Sequence, residues 1–190
     1  MSDTRNHEAR LLSIQVARPL AVRHVDREVM TGIFKLPVEG PVMVRSLNID
    51  GDQQGDLSVH GGVDKAVYCY PSEHYPAWSE ELERELPNGT FGENLTVSGL
   101  LEPELHIGDV LSVGDAVLQV SQPRYPCFKL GIKIGDQRFV QRFQLSGRSG
   151  FYCRVLQEGL IEPGQPIALL ERDEAQPTIA DVVALRNKDA

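Results

Sequence analysis

The sequence predicts a mainly β protein with a few α-helices, and three observations carry that prediction. Short apolar runs with period-two alternation recur from Leu11 to Leu170. Seventeen glycines and twelve prolines supply turns at close intervals. Only three stretches place apolar residues at helical spacing. Many short strands with few helices imply a closed or strongly curved, β-barrel-like sheet, because closure removes exposed strand edges.

Taken in order, Leu12, Ile14 and Val16 alternate with Ser13, Gln15 and Ala17, which predicts a strand that Pro19 ends. Further strands are expected at Met30 to Leu36 and Val42 to Ile49, separated by Pro37, Gly40 and Pro41. Val63 to Tyr70, Leu95 to Val97, Val110 to Val113 and Ala116 to Ser121 follow. The last two flank Gly114-Asp115, where glycine opens a two-residue hairpin turn. Phe151 to Leu156 and Ile167 to Leu170 close the set. Tyr75, Trp78, Leu82 and Leu86 share one helical face, and Pro87 to Gly89 stops that helix. Asp136 is an N-cap for a helix that buries Phe139, Val140 and Phe143. Thr178 caps a last helix over Ile179 to Leu185. Residues 1–175 are expected to form a single domain, and 176–190 a C-terminal helix.

Composition limits the function. With 190 residues and 41% apolar content the chain can bury one substantial core. A net charge of −8 argues against binding nucleic acid polymers or anionic membranes, while leaving room for a local basic pocket. No run approaches the roughly 20 apolar residues of a membrane helix. The polar N-terminus lacks the apolar region of a signal peptide, so a cytoplasmic location is expected. Cys69, Cys127 and Cys153 form no CxxC pair, which fits a reducing compartment and provides no local thiolate set for an iron–sulfur cluster.

Three segments carry chemistry. The first contains Gly51-Asp52, Gly55-Asp56 and His60-Gly61-Gly62-Val63-Asp64-Lys65. Glycines let backbone N–H groups approach an anion or a flat heterocycle. Asp52, Asp56, His60 and Asp64 suggest an oxygen-rich metal site, although Asx turns account for the same residues. The second is Phe91-Gly92-Glu93-Asn94-Leu95, in which Asn94 can both donate to and accept from a purine or pterin edge. The third is Gln119 to Leu130. Two prolines, Pro123 and Pro126, fix a connection that ends on Cys127, where a short helix begins. A helix N-terminus together with Arg124 and Lys129 favours a thiolate, which is a nucleophile and a soft metal ligand. A buried apolar cysteine is the competing reading, and Cys69 and Cys153 fit it better than Cys127 does.

In combination, the segments Gly51 to Pro71, Phe91 to Leu100, Ile107 to Asp109 and Leu118 to Leu130 resemble the MOSC family, the domain first described at the C-terminus of molybdenum cofactor sulfurases. More narrowly they resemble its YiiM-like stand-alone bacterial branch. The motif core runs from 48 to 130. The resemblance implies a β-barrel-like domain, a molybdenum cofactor (molybdenum with molybdopterin), and Cys127 as the protein thiolate on the metal. It implies Arg124 at the pterin phosphate or holding the thiolate. His60, Gly61, Gly62, Lys65 and Lys129 become candidate pocket residues, Glu93 and Asn94 candidates for the pterin edge, and His60 the candidate proton donor. The implied reaction is reduction of N-hydroxylated compounds, such as hydroxylaminopurines and amidoximes. No flavin or nicotinamide fingerprint is present, so electrons are expected from a separate reductase or ferredoxin-like protein. Longer relatives carry a three-helix extension, of which Thr178 to Lys188 matches the first helix. The pyridoxal-dependent half of the sulfurase has no room here, so pyridoxal phosphate is not expected. Two other readings stand beside the reductase: a carrier of the cofactor or of its sulfur, and a divalent-metal hydrolase built on Asp52, Asp56 and His60.

Overall fold

A computed structural model describes residues 8–53 and 61–188. Its main element is an eight-stranded sheet in the order β12-β8-β9-β10-β6-β7-β1-β4. These strands are β1 (Arg10–Val16), β4 (Leu36–Val38), β6 (Val67–Pro71), β7 (Leu95–Ser98), β8 (Val110–Val113), β9 (Ala116–Pro123), β10 (Phe151–Gln157) and β12 (Ile167–Glu171). Neighbours run antiparallel except β6 and β7, which pair in parallel through Cys69–Leu95, Tyr70–Thr96 and Pro71–Val97. That crossover is made by helix α1 (Tyr75–Glu81), since parallel neighbours cannot be joined by a tight turn. Two small ribbons complete the β structure: β2 (Leu20–His24) with β3 (Arg27–Thr31), and β5 (Val42–Val44) with β11 (Gly159–Ile161).

The curl of the sheet brings its ends together. Ile167 N donates to Ala9 O at 2.7 Å, Leu11 N to Gln165 O at 2.9 Å and Gly164 N to Leu11 O at 2.6 Å. The chain entering β12 therefore lies against the start of β1, yet no continuous ladder joins them. The sheet is barrel-like in curvature and open in pairing.

Strand β6 explains why one sheet supports two cores. All five of its residues are buried. Period two sends Val67 and Cys69 into the aliphatic interior with Leu11, Ile14, Leu95, Val120, Phe151 and Cys153. Tyr68 and Tyr70 go to the other face, into an aromatic cluster with Trp78, Phe91, Phe139 and Phe143. Helices α1, α2 (Phe128–Ile134) and α3 (Phe139–Ser146) cover that second face. Helix α4 (Ile179–Lys188) begins at Thr178, whose hydroxyl accepts Asp181 N at 3.1 Å while the Asp181 carboxylate accepts Thr178 N at 3.0 Å, a reciprocal capping arrangement.

Several sequence expectations are corrected. Met30 to Leu36 is not one strand, because the chain breaks over 32–35 between β3 and β4. Leu20–His24, for which the pattern gave no element, is the other half of the β2–β3 hairpin. Val42 to Ile49 ends as a strand at Val44 and turns back, so that Val44 bridges Ile49. The helix expected to reach Leu86 stops at Glu81, and Glu83 takes a left-handed φ of 51°. Leu82 and Leu86 still pack on the aromatic cluster, so the apolar spacing reported a buried face and not a helical backbone. Asp136 caps the turn before α3 through Arg138 N at 2.9 Å, with α3 itself starting at Phe139. The Gly114-Asp115 hairpin, β7, β10 and β12 stand where the pattern put them. Among the described residues no helix is long and apolar enough to cross a membrane.

Candidate active site

A cleft of about 610 Å³, counting its open mouth, lies at the end of β9. Four segments converge on it: 31–35 after β3, the turn at 52–53, Gly92 and Asn94 before β7, and 124–129 between β9 and α2. Tyr68 and Tyr152 form its wall; they are paired across β6 and β10 with ring centroids 5.2 Å apart.

Cys127 lines this cleft as the N-cap residue of α2, with extended backbone (φ −126°, ψ 172°). It is half-buried and outside any disulfide. Burial raises the Tyr152 pKa and the nearby Cys127 adds to the rise; at Arg124 burial acts downward and Cys127 is among the groups that oppose it. Cys69 and Cys153 are buried in the aliphatic core, as their alternation predicted. A hydrogen bond that the Cys153 thiol makes to Cys69, together with burial, pushes its pKa well up and keeps it protonated.

Arg124 is 6% exposed. Its guanidinium lies 5.4 Å from the centroids of both Tyr68 and Phe143. Its Nη1 is buried with no hydrogen-bond partner among the described residues. Burial works to lower the Arg124 pKa, but Tyr68, Tyr152 and Cys127 outweigh it, so the group stays a cation. A buried cation with an unspent donor favours an anion.

Lys65 reaches the cleft from a 3-10 turn at Val63–Lys65. That turn is pinned by Arg154 Nε donating to Asp64 Oδ1 at 2.7 Å and Ser121 Oγ donating to Asp64 O at 2.6 Å. Lys129 lines the cleft from α2. Together with Lys35 and Arg124, the lining then holds, among the described residues, four cations and one carboxylate, Asp52. This is the local basic pocket that a net charge of −8 had left open.

The structure separates residues that the sequence grouped. Asn94 lines the cleft, but its side chain is largely committed: Oδ1 accepts Tyr68 N at 3.1 Å and Nδ2 donates to Asp52 Oδ2 at 2.9 Å. Glu93 lies behind the wall, wholly buried. It accepts from Gly89 N at 2.8 Å, Phe91 N at 3.1 Å, Thr96 Oγ1 at 3.1 Å and the Tyr75 hydroxyl. The expectation that Glu93 meets a pterin edge is therefore corrected: its lone pairs fasten the 89–96 loop. Gly61 and Gly62 precede the Lys65 turn and are not in the cleft lining. His60 and Asp56 lie outside the described residues. Asp52 is 3% exposed and binds Lys35, Ala17 N at 2.8 Å and Asn94. With its oxygens so engaged it offers no metal site, and no cluster of three acidic, His or Cys ligands occurs among the described residues. The hydrolase reading thus loses Asp52.

Sequence reasoning missed Thr31, Gly32, Ile33, Lys35, Gln53, Tyr68 and Tyr152 as cleft residues. Lys35 had left a signal, a lone charge between Phe34 and Leu36 in a seemingly apolar strand. Gly92 has a structural reason to be glycine: its φ is +84°, and a Cβ there would meet Ile33 Cγ1 at 2.8 Å. The missing side chain lets the 31–35 segment close over the cleft.

The fold agrees with what the chain is similar to. The family model of the MOSC domain matches residues 56–168, so the chain belongs to the MOSC domain family. It is 49% identical to protein YflK of Bacillus subtilis over 164 residues, which is 86% of this chain and 74% of YflK. It is 37% identical to protein YiiM of Escherichia coli over 145 residues, covering 75% of this chain and 65% of YiiM. A protein named Reductase from Gibberella moniliformis is 38% identical over 160 residues, or 82% of this chain, but the chain spans only 28% of it. The crystal structure of YiiM from Geobacillus stearothermophilus superposes with a TM-score of 0.80 at 39% identity, over 95% of this chain and 85% of that one. YiiM from Escherichia coli gives 0.72 at 29%, over 93% and 76%. Within the family the chain stands in the YiiM-like branch.

Proposed function

We propose that this protein binds a molybdenum cofactor, with the Cys127 thiolate as the protein ligand to the metal, and reduces N-hydroxylated compounds with electrons from a separate reductase. One observation carries the reading: Cys127 shares its cleft with Arg124, a buried cation whose Nη1 has no partner among the described residues. A soft thiolate beside an unspent, desolvated guanidinium suits a ligand that is both a thiophilic metal and an anion. The cationic lining fits the same group. The fungal relative's name, Reductase, points to the same class of chemistry.

When bound, the cofactor supplies the two-electron chemistry. The chain's residues hold and shield it. Arg124 and Lys129 take the anionic end, Lys65 adds charge, and Gly61 and Gly62 let the backbone turn ahead of Lys65. Asn94, fixed through Asp52 and Tyr68 N, gives a rigid wall. Tyr68 and Tyr152 exclude water on the strand side.

Metal analysis tests the binding claim. Protein made in cells that synthesise the cofactor is expected to carry molybdenum, and Cys127→Ala protein is expected to carry almost none with an unchanged fold. Near-zero molybdenum in both would sink the reading. Steady consumption of an N-hydroxylated base with a chemical or protein reductant then separates an enzyme from a carrier, which would show no turnover.

A further inference from the structure

Reduction of an N–OH group needs a proton for the departing oxygen. Lys35 lines the cleft, yet its side chain is only 8% exposed. It is ion-paired with Asp52, whose side chain is 2% exposed. Asp52 is held in turn by Ala17 N at 2.8 Å and by Asn94 Nδ2 at 2.9 Å. The ammonium is thereby fixed on a rigid support. Resting on the reductase reading above, we propose that Lys35 is a catalytic residue, the general acid that protonates the leaving oxygen, and that Asp52 and Asn94 are its positioning residues.

The other proton carriers in the lining suit the task less well. Arg124 does not release a proton near neutral pH. Burial pushes the Tyr68 hydroxyl pKa well up and that of Tyr152 up as well, and the Tyr68 hydroxyl already donates to Ser149 O at 2.9 Å. Lys35 behaves oppositely. Burial lowers its pKa, and Asp52, with a smaller contribution from Glu93, opposes the fall. On the α2 side Lys133 faces it as a like charge. A cation whose proton is loosened by burial and retained by one carboxylate is close to the balance that general acids need. In the step, the N–O bond breaks and the oxygen takes the Lys35 proton, leaving as water. The nitrogen keeps the electron pair derived from the separate reductase and takes a second proton from solvent. The balance is R–NH–OH + 2 e⁻ + 2 H⁺ → R–NH₂ + H₂O. Water at the cleft mouth then reprotonates the neutral Lys35 amine.

The experiment uses molybdenum-loaded protein and a hydroxylaminopurine. K35R keeps a cation beside Asp52 but cannot give up its proton. It is expected to retain molybdenum and KM and to lose about 10²- to 10⁴-fold in kcat. D52N removes the charge that retains the proton, so the alkaline limb of the kcat profile is expected to move to lower pH. A purely structural role for Lys35 and Asp52 would change kcat without moving that limb. H60Q, which alters the donor that the family resemblance suggests, is expected to leave the limb in place. A readout independent of turnover is the pH dependence of Lys35 labelling by an amine reagent in cofactor-free protein, with a midpoint below that of an ordinary lysine and lower again in D52N. Wild-type kcat in K35R, an unmoved limb in D52N, or loss of the limb in H60Q would each overturn the assignment while leaving the reductase reading intact. No turnover in the loaded wild type would overturn both.

Discussion

Replacing Glu93 by glutamine separates two roles for this residue, a ligand-reading group and an internal fastener. The carboxylate is fully buried and accepts four hydrogen bonds, two from backbone N–H groups and two from hydroxyls. Oε1 serves Gly89, Thr96 and Tyr75, and Oε2 serves Phe91. A glutamine keeps the three bonds at Oε1 if its amide oxygen stays there, but then its NH₂ group confronts Phe91 N–H. One charge-assisted bond becomes a donor–donor contact, which costs about 2–3 kcal/mol. Glu93→Ala strands three of the four donors, Gly89 N keeping the Tyr75 hydroxyl at 3.1 Å, and leaves a void, for a total of about 4–5 kcal/mol. Against a typical total stability of roughly 5–15 kcal/mol either loss is large. Urea unfolding followed by far-UV circular dichroism measures both, with the midpoint falling at constant m-value. A Glu93→Gln protein with wild-type stability and selectively lost molybdenum would refute this argument and restore Glu93 to the ligand surface.

Two further predictions follow from packing and titration. Gly150→Ala places a Cβ 2.5 Å from Cys69 O and 2.9 Å from the Tyr68 ring, at a φ of +63°. It is expected to cost about 3 kcal/mol or more and to displace the Tyr68 wall, seen as a lowered midpoint and an altered near-UV tyrosine signal. Lys133 is pushed down to about 8 from 10.5 by burial. Because the native state releases this proton before the unfolded chain does, the stability difference between wild type and Lys133→Met is expected to shift in favour of wild type as pH rises from about 8 toward 10.5. Below that window both states hold the proton and the difference should be flat. A flat difference throughout would show that Lys133 titrates normally.

The mutual position of Cys127 and Arg124 shows how much of the site was legible. Pro123 and Pro126 fix φ on either side of Arg124, and an apolar helix start follows. Local chain chemistry alone therefore points Cys127 to the N-cap of α2. Strand β10 and the Gly114-Asp115 hairpin were legible for the same reason, since alternation and turn preference act within a few residues. Lys35 was not. Its segment reads as an apolar strand, and it is chiefly the carboxylate of Asp52, 17 residues away, that makes a buried ammonium tenable there. Glu93 and Asn94 looked alike as adjacent polar residues before a strand. The loop that enters β7 turns their side chains to different sides, so Asn94 entered the cleft wall and Glu93 the interior behind it.

The sequence by itself determined the mainly β character, the curvature, the aliphatic burial of Cys69 and Cys153, and the exceptional setting of Cys127. Each depends on periodicity or on chemistry between near neighbours. Tertiary structure decided which cations share a cleft with that thiol, which carboxylates are spent on internal bonds, and where the sheet stays open. Those outcomes arise from pairing between segments far apart in the chain, where the energy of a buried charge depends on the partner brought to it and not on the residues beside it in sequence.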